Sequence, residues 1–290
     1  MKLEQSVRMA LKLEALKECG VVATEKFDVE TAVRSRIDYL KNYIRASGTK
    51  GIVLGISGGV DSTTSGKLSQ LAMSELRAEG YEAYFVAVRL PHMVQKDEEE
   101  AQAALKFIQP DVIHTVNIGE STNALNLEGL AAFEAFTGQK TDPVKADFHK
   151  GNMKARIRMT AQYHLAGLHN MVVLGTDHEA EKIVAFYTKR GDEACDLTVL
   201  SGMNKRQVRL CAKYLGAAEK LWAKVPTADL EELAEQKPDE TALGLTYEQI
   251  DDFLEGKEIG EVAEDKLMYQ YMITKHKRDK TVSPVDYIFS

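Results

Sequence analysis

The stretch GISGGVDS at residues 55–62 follows the apolar run Gly51-Ile52-Val53-Leu54 and leads into a helical pattern marked by Leu68, Leu71, Ala72 and Leu76. A glycine-rich turn from a buried strand into a helix belongs to parallel α/β architecture, in which ligands gather at the carboxyl ends of the strands. Backbone N–H groups in such a turn converge on one concavity and the helix dipole adds partial positive charge, so the turn is an anion cradle. Gly58 and Gly59 permit close approach, while Ser57 and Ser62 offer hydroxyl donors. Asp61 repels a bare phosphate unless a cation lies between, and therefore argues for magnesium. The spacing is neither the Walker pattern, since no G-K-[ST] closes it, nor G-x-G-x-x-G. Without a ligand, the same residues read as a tight turn capped by Asp61 and Ser62.

The flanking sequence alternates in the same way. Asp28 caps a helix with Val33, Ile37, Leu40 and Ile44 on one face, stopping near Gly48. Strands are expected at 51–56, 83–90, 112–117 and 171–176. Helices fill the intervals: one ending near Gly80, one capped by Asp97, and others around 122–135 and 150–168. Strands separated by helices pair in parallel, so the expected fold is a doubly wound α/β sheet flanked by helices. No repeat or Pro/Ser-rich linker interrupts it, and residues 1–290 read as one domain with helical additions at both ends.

Composition narrows the function classes. With 44% apolar and 28% charged residues, 290 residues make an ordinary globular protein. No apolar stretch approaches the roughly 20 residues that span a bilayer, and no signal peptide is read. The net charge is −7, and Asp229 to Glu261 holds only Lys237 and Lys257 as basic residues, which disfavours broad nucleic-acid binding. Three cysteines, Cys19, Cys195 and Cys211, form no C-x-x-C pair, so neither a disulfide framework nor a zinc site is expected, and a reducing cytoplasm fits best. His178 and Glu179 do not make H-E-x-x-H, and His178 reads as a structural side chain or one that supports neighbouring ligands.

The SGGVDS motif after a hydrophobic strand resembles the pyrophosphate loop of the N-type ATP pyrophosphatases. The segments AVRLPHMVQKDEEEAQ, DFHKGNMKARIRM, VLGTDHEAE, YTKRGDEACD, NKRQ, VPTADLEE, PDETALGLTYEQIDDFLEGK and TKHKR resemble those of the bacterial NAD synthetases in order and spacing. The resemblance covers nearly the whole chain. It implies an adenine nucleotide alpha hydrolase-like fold and amidation of nicotinate adenine dinucleotide to NAD, with ATP and Mg2+. It also implies a homodimer with the dinucleotide site at the subunit interface. Glutamine-using relatives carry a further amidase domain, and the synthetase pattern begins here almost at once, so ammonia is the expected nitrogen donor. Two other readings stand beside this one: an RNA-modifying enzyme of the same superfamily, weakened by the acidic second half, and a nucleotide-binding relative without catalysis.

The resemblance also assigns residues. Gly55, Ile56, Ser57, Gly58, Gly59, Val60, Asp61 and Ser62, with Arg89, Gln95, Thr176, Lys205 and Thr227, are expected on ATP, and Asp61 and Glu181 on magnesium. Tyr43, Phe148, Arg156, Tyr163, Lys189, Asp196, His276 and Lys277 are expected on the dinucleotide. Lys154 and Arg158 share a helix face from which Arg156 diverges. Chemically, Lys189 can stabilise negative charge in the transition state and Asp192 can accept a proton from ammonium. Where bacterial members commonly read Tyr-Gly-Asp-Gly-Gly, this chain has Arg190-Gly191-Asp192-Glu193-Ala194. Two lost glycines are expected to restrict the loop, Glu193 to add charge that attracts ammonium with Arg190 offsetting part of it, and Cys195 reads as a small filler rather than a nucleophile.

Overall fold

The computed structural model describes residues 4–93, 98–228, 230–233, 237–281, 283, 284 and 286. Helix α1 (Gln5–Cys19) precedes α2 (Val29–Ser47), after which come β1 (Gly51–Gly55), α3 (Val60–Ala78), β2 (Tyr84–Arg89), α4 (Glu98–Ile108) and β3 (Val112–Thr115). Then follow α5 (Gly119–Thr137), α6 (Pro143–His169), β4 (Val172–Gly175), α7 (Glu179–Val184) and β5 (Leu197–Thr198). The remainder is α8 (Lys205–Tyr214), α9 (Glu219–Trp222), an antiparallel pair β6 (Thr227–Ala228) and β7 (Lys237–Pro238), and α10 (Asp239–Leu243), α11 (Tyr247–Leu254), α12 (Glu261–Ile273) and α13 (Lys275–Arg278). None of the described helices is long and apolar enough to cross a membrane.

β1 to β5 form one sheet in the order β3-β2-β1-β4-β5, every neighbour parallel. Ile52 lies opposite Phe85 on one side and Val172 on the other. The order runs outward from β1 to β3 and then returns to place β4 on the other flank of β1. The carboxyl ends of β1 and β4 therefore bound the crevice where the strand order reverses. The four strands read from sequence are present, and β5 adds a fifth of two residues, too short to show a periodic signal.

Period-two alternation builds two cores from one sheet. Ile52, Leu54, Phe85 and Ala87 face Leu40, Ile44, Leu68, Met73 and Leu76 of α2 and α3, whereas Val53, Val86, Val88 and Val173 face Ala166 of α6. A third core joins both ends of the chain. Ala15 and Cys19 of α1 pack with Ile183 of α7, Ile250 and Phe253 of α11, and Leu267 and Met268 of α12. Helix boundaries follow local chemistry: the Asp28 carboxylate accepts from the N–H groups of Glu30 and Thr31, and Gly48 ends α2 in the left-handed conformation. Asp97, expected to cap α4, lies outside the described residues.

Helix α11 begins with a capping box: Thr246 accepts from the Gln249 N–H and the Gln249 side chain accepts from the Thr246 N–H. Thr246→Ala is expected to lower the unfolding free energy by about 1 kcal/mol, read as a lower urea midpoint with an unchanged slope.

Candidate active site

The cradle lies at the carboxyl end of β1. Gly59 caps α3 without a side-chain hydrogen bond, in place of the expected Asp61 and Ser62. Those two residues sit inside the first turn, and Ser62 Oγ donates back to Gly59 O at 3.2 Å. Ser57 Oγ stands 3.1 Å from Ser62 Oγ and accepts from the Gly59 N–H at 3.3 Å, so the two serines brace the turn from inside. Gly58 has φ +86°, and a Cβ there would lie 2.8 Å from the Ala101 N of α4. Only glycine fits both the conformation and the gap. Arg89, at the end of β2 and 2% exposed, donates to Ile56 O at 3.3 Å and to Glu98 at 2.5 Å, tying the cradle to α4. Gln95 lies outside the described residues.

Beside the cradle, Asp61, His178 and Glu181 converge, with ligand atoms within 4.8 Å of one another. Lys205 inserts its ammonium among them: Nζ lies 2.7 Å from Asp61 Oδ2, 3.2 Å from His178 Nε2 and 3.4 Å from Glu181 Oε1. Burial alone would raise the Asp61 pKa, but Lys205 and His178 outweigh it and hold the carboxyl below the usual carboxylate range. Burial likewise pulls Lys205 down, and Asp61 and Glu181 more than reverse that. The donor set suits a divalent cation: two carboxylates supply hard oxygens, and Asp61 Oδ1 is buried without a hydrogen-bond donor among the described residues, His178 Nε2 standing 3.4 Å away.

Sequence reasoning missed the support of this cluster. Asp251 of α11 accepts the N–H groups of Lys205 and Arg206 at 3.0 and 2.8 Å, fixing the first turn of α8. Burial pushes its carboxyl up to about 6, against those two donors. Tyr247 places its ring 4.7 Å from Lys205 Nζ and its hydroxyl between Asp239 (3.0 Å) and Glu181 (3.5 Å). Burial raises Asp239 to about 6, with Tyr247 and Lys205 opposing. His178, read as a structural side chain or one that supports the ligands, stands with Nε2 3.4 Å from Asp61 Oδ1 and 3.5 Å from Glu181 Oε1. The local signal for these residues is slight, because Tyr247, Asp251 and Asp239 reach the site from an acidic segment that looks like solvated surface.

The loop after α7 is tied to the C-terminal segment. Lys189 Nζ donates to His276 O, Arg190 to Thr281 Oγ1 at 2.7 Å, and Lys277 Nζ to Ala185 O and Tyr187 O at 2.9 and 2.7 Å. Arg156 reaches the same loop, donating to Lys189 O at 3.1 Å, while Lys154 is buried and Arg158 turns to Leu90 O. Asp192 occupies an exposed position and accepts from the Thr188 N–H at 2.9 Å. Protein atoms crowded around its carboxyl raise its pKa against that hydrogen bond, and Glu181 and Glu193 add to the rise. Asp177 is pushed well above the carboxylate range by burial and then by Glu181, Asp192 and Glu193. Glu193 accepts from the N–H groups of Arg190 and Gly191 at 3.0 and 3.2 Å, clamping Arg190 at φ +61°. Its carboxylate thus shapes the loop as well as adding the expected charge.

Three other candidates share one neighbourhood: burial raises the Tyr163 pKa to about 12, and Asp196 and Tyr43 are near enough to add to the rise. Tyr163 OH lies 3.4 Å from Asp196 Oδ1, but Asp196 also accepts the Val173 N–H at 2.7 Å and so fastens β4. Tyr43 packs beside Tyr39 on α2, Thr176 follows β4 half-buried, and Phe148 is exposed on α6. Thr227 is exposed on β6.

The profile of the NAD synthase family matches residues 32–283, from within α2 through the cradle to the C-terminal segment. The chain belongs to the NAD synthase family. Its fold is that of the adenine nucleotide alpha hydrolase-like NAD synthetases, and its enzyme class is that of a ligase. It is 53% identical over 271 residues to the NH(3)-dependent NAD(+) synthetase of Shewanella pealeana, covering 93% of this chain and 98% of that protein. The crystal structure of NAD+ synthetase from Burkholderia pseudomallei superposes with a TM-score of 0.78 at 44% identity, over 93% of this chain and 97% of that one. NMN synthetase from Francisella tularensis superposes with a TM-score of 0.73 at 28% identity, over 89% and 99%. The helices that carry Asp61, Glu181 and Lys205 and the loop that carries Lys189 and Asp192 lie within the NAD synthase match.

Proposed function

We propose that this chain is a cytoplasmic, ammonia-dependent NAD synthetase that amidates nicotinate adenine dinucleotide at the expense of ATP. The observation carrying the proposal is the Asp61–Glu181–Lys205 cluster at the strand-end cradle, within a chain 53% identical to an NH(3)-dependent NAD(+) synthetase. A carboxylate is a poor electrophile and becomes reactive when its oxygen attacks the α-phosphorus of ATP and pyrophosphate leaves. Ammonia then adds to the acyl carbon, and AMP departs with the C–O bonding pair. In this scheme residues 55–62, Lys205, Arg89, Gln95, Thr176 and Thr227 hold ATP. Asp61 and Glu181 would hold magnesium, which neutralises phosphate charge when bound. Lys189 stabilises the charge that develops on the acyl oxygen, and Asp192 takes a proton from ammonium. Tyr43, Phe148, Arg156, Tyr163, Asp196, His276 and Lys277 are assigned to the dinucleotide.

A homodimer is part of the proposal. Neighbouring helices α5 and α6 expose Leu125, Leu127, Phe133, Phe136 and Leu168, an apolar set suited to a second copy. The free state of all three cysteines suits a reducing compartment.

The test incubates the protein with ATP, Mg2+, ammonium or glutamine, and either nicotinate adenine dinucleotide or nicotinate mononucleotide, following amide product and AMP. NAD and AMP formed one-for-one with ammonium and the dinucleotide support the proposal. Preference for the mononucleotide, a reading favoured by the likeness to the Francisella NMN synthetase, would replace it. ATP binding without either product would move the non-catalytic reading forward. Glu193→Gly, which removes the clamp on Arg190, is expected to raise the dinucleotide KM a few-fold and lower kcat with it, since loops that complete a site change both. Steady-state kinetics with each substrate varied checks this, and a change confined to the ammonium KM would assign Glu193 to ammonium attraction alone.

A further inference from the structure

We propose that the Lys205 ammonium is a built-in counter-ion that holds the cation seat and must leave it before a divalent cation can enter, so that cation and nucleotide bind together. The inference rests on the reading of this cluster as an ATP and cation site. Its basis is that Lys205 Nζ contacts Asp61, His178 and Glu181, the same three side chains whose ligand atoms converge. The Lys205 side chain is 1% exposed and those of the three partners 0–18%.

Charge decides the competition. The ammonium touches two carboxylates, and Asp239 adds a third behind Tyr247. A divalent cation added beside the ammonium would set like charges in contact among nearly buried side chains, whereas a cation that replaces it pairs with Asp61 and Glu181 directly. Magnesium also needs its oxygen ligands at about 2.0–2.1 Å, within the space the ammonium fills. The lysine backbone does not travel, because the Asn204 capping box and Asp251 fix the first turn of α8. Only the four-carbon side chain can swing, and a buried ammonium that leaves two carboxylates needs new acceptors. A triphosphate in the cradle supplies them, since Asp61 belongs to the first turn of the cradle helix. Nucleotide therefore frees the seat for the cation, and by linkage the cation strengthens nucleotide binding by the same factor.

The experiment titrates nucleotide-free protein with Mn2+, a divalent oxygen-seeking probe, and reads the paramagnetic resonance of the free ion. Lys205→Met is expected to bind Mn2+ at least roughly tenfold more tightly than wild type, because removing the ammonium leaves two carboxylates without a counter-ion. Equal affinity of the two proteins would overturn the inference and leave the cation site standing. If neither protein binds Mn2+, with or without a non-hydrolysable ATP analogue, the cation site itself fails and the inference with it. Wild-type protein gives a reading that does not depend on the variant folding. Mn2+ alone is expected to leave its melting temperature unchanged, while Mn2+ with the analogue raises it above the analogue alone. A rise with Mn2+ alone as large as with both would also overturn the inference.

Discussion

Asp192→Asn is expected to lower kcat for amidation by about 10²–10⁴-fold, the range for loss of a positioned proton acceptor. The substitution keeps the size of the side chain and the oxygen that accepts from Thr188, so the loop geometry survives while the basicity is lost. Crowding by protein, with Glu181 and Glu193 nearby, raises the Asp192 pKa and makes the carboxylate a stronger base. A base works deprotonated, so activity should fall as pH drops through that raised value, and the asparagine variant should lack this limb. The pH profile of kcat/KM for ammonium checks it, and an unchanged profile would remove Asp192 from proton transfer. Stability moves the other way. A folded-state pKa above the unfolded value means the charged form is disfavoured in the fold, so the Asp192 contribution to stability is present at low pH and lost as pH rises. The variant should therefore be no less stable than wild type at neutral pH, a trade between function and stability common at active sites.

Phe253→Ala is expected to cost about 3–5 kcal/mol of unfolding free energy. Phe253 is fully buried in the core that joins α1, α7, α11 and α12, with the Lys12 ammonium 5.2 Å from its ring centroid. The same helix carries Tyr247 and Asp251, so the cavity also loosens the support of Lys205. Urea denaturation measures the loss, and Val262→Ala, at a position 86% exposed, provides a control expected to stay within about 0.5 kcal/mol. A Phe253 variant as stable as that control would show that the terminal core does not support the fold.

Much of the scaffold was legible because each element carried its own signal. Asp28 and Gly48 bounded α2, apolar runs marked β1, β2 and β4, and three glutamates in the first turn marked α4. The two-residue β5 carried no pattern of its own and exists because Asp196 and Leu197 dock against β4. The site was legible where chemistry is local, as in the glycine turn with Asp61. It was not legible where three segments converge: no sequence spacing announces that Lys205 lies between Asp61 and Glu181, or that Asp251 fixes its helix. Glu193 was visible as a departure from the family, whereas its clamp on Arg190 depends on a left-handed backbone that only the fold displays.

The tether between Lys189 and the carbonyl of His276 crosses 87 positions of sequence. During synthesis at typical rates, those positions take roughly 4 to 17 s to make. The loop that carries Lys189 and Asp192 therefore leaves the ribosome well before the segment that fastens it has been made.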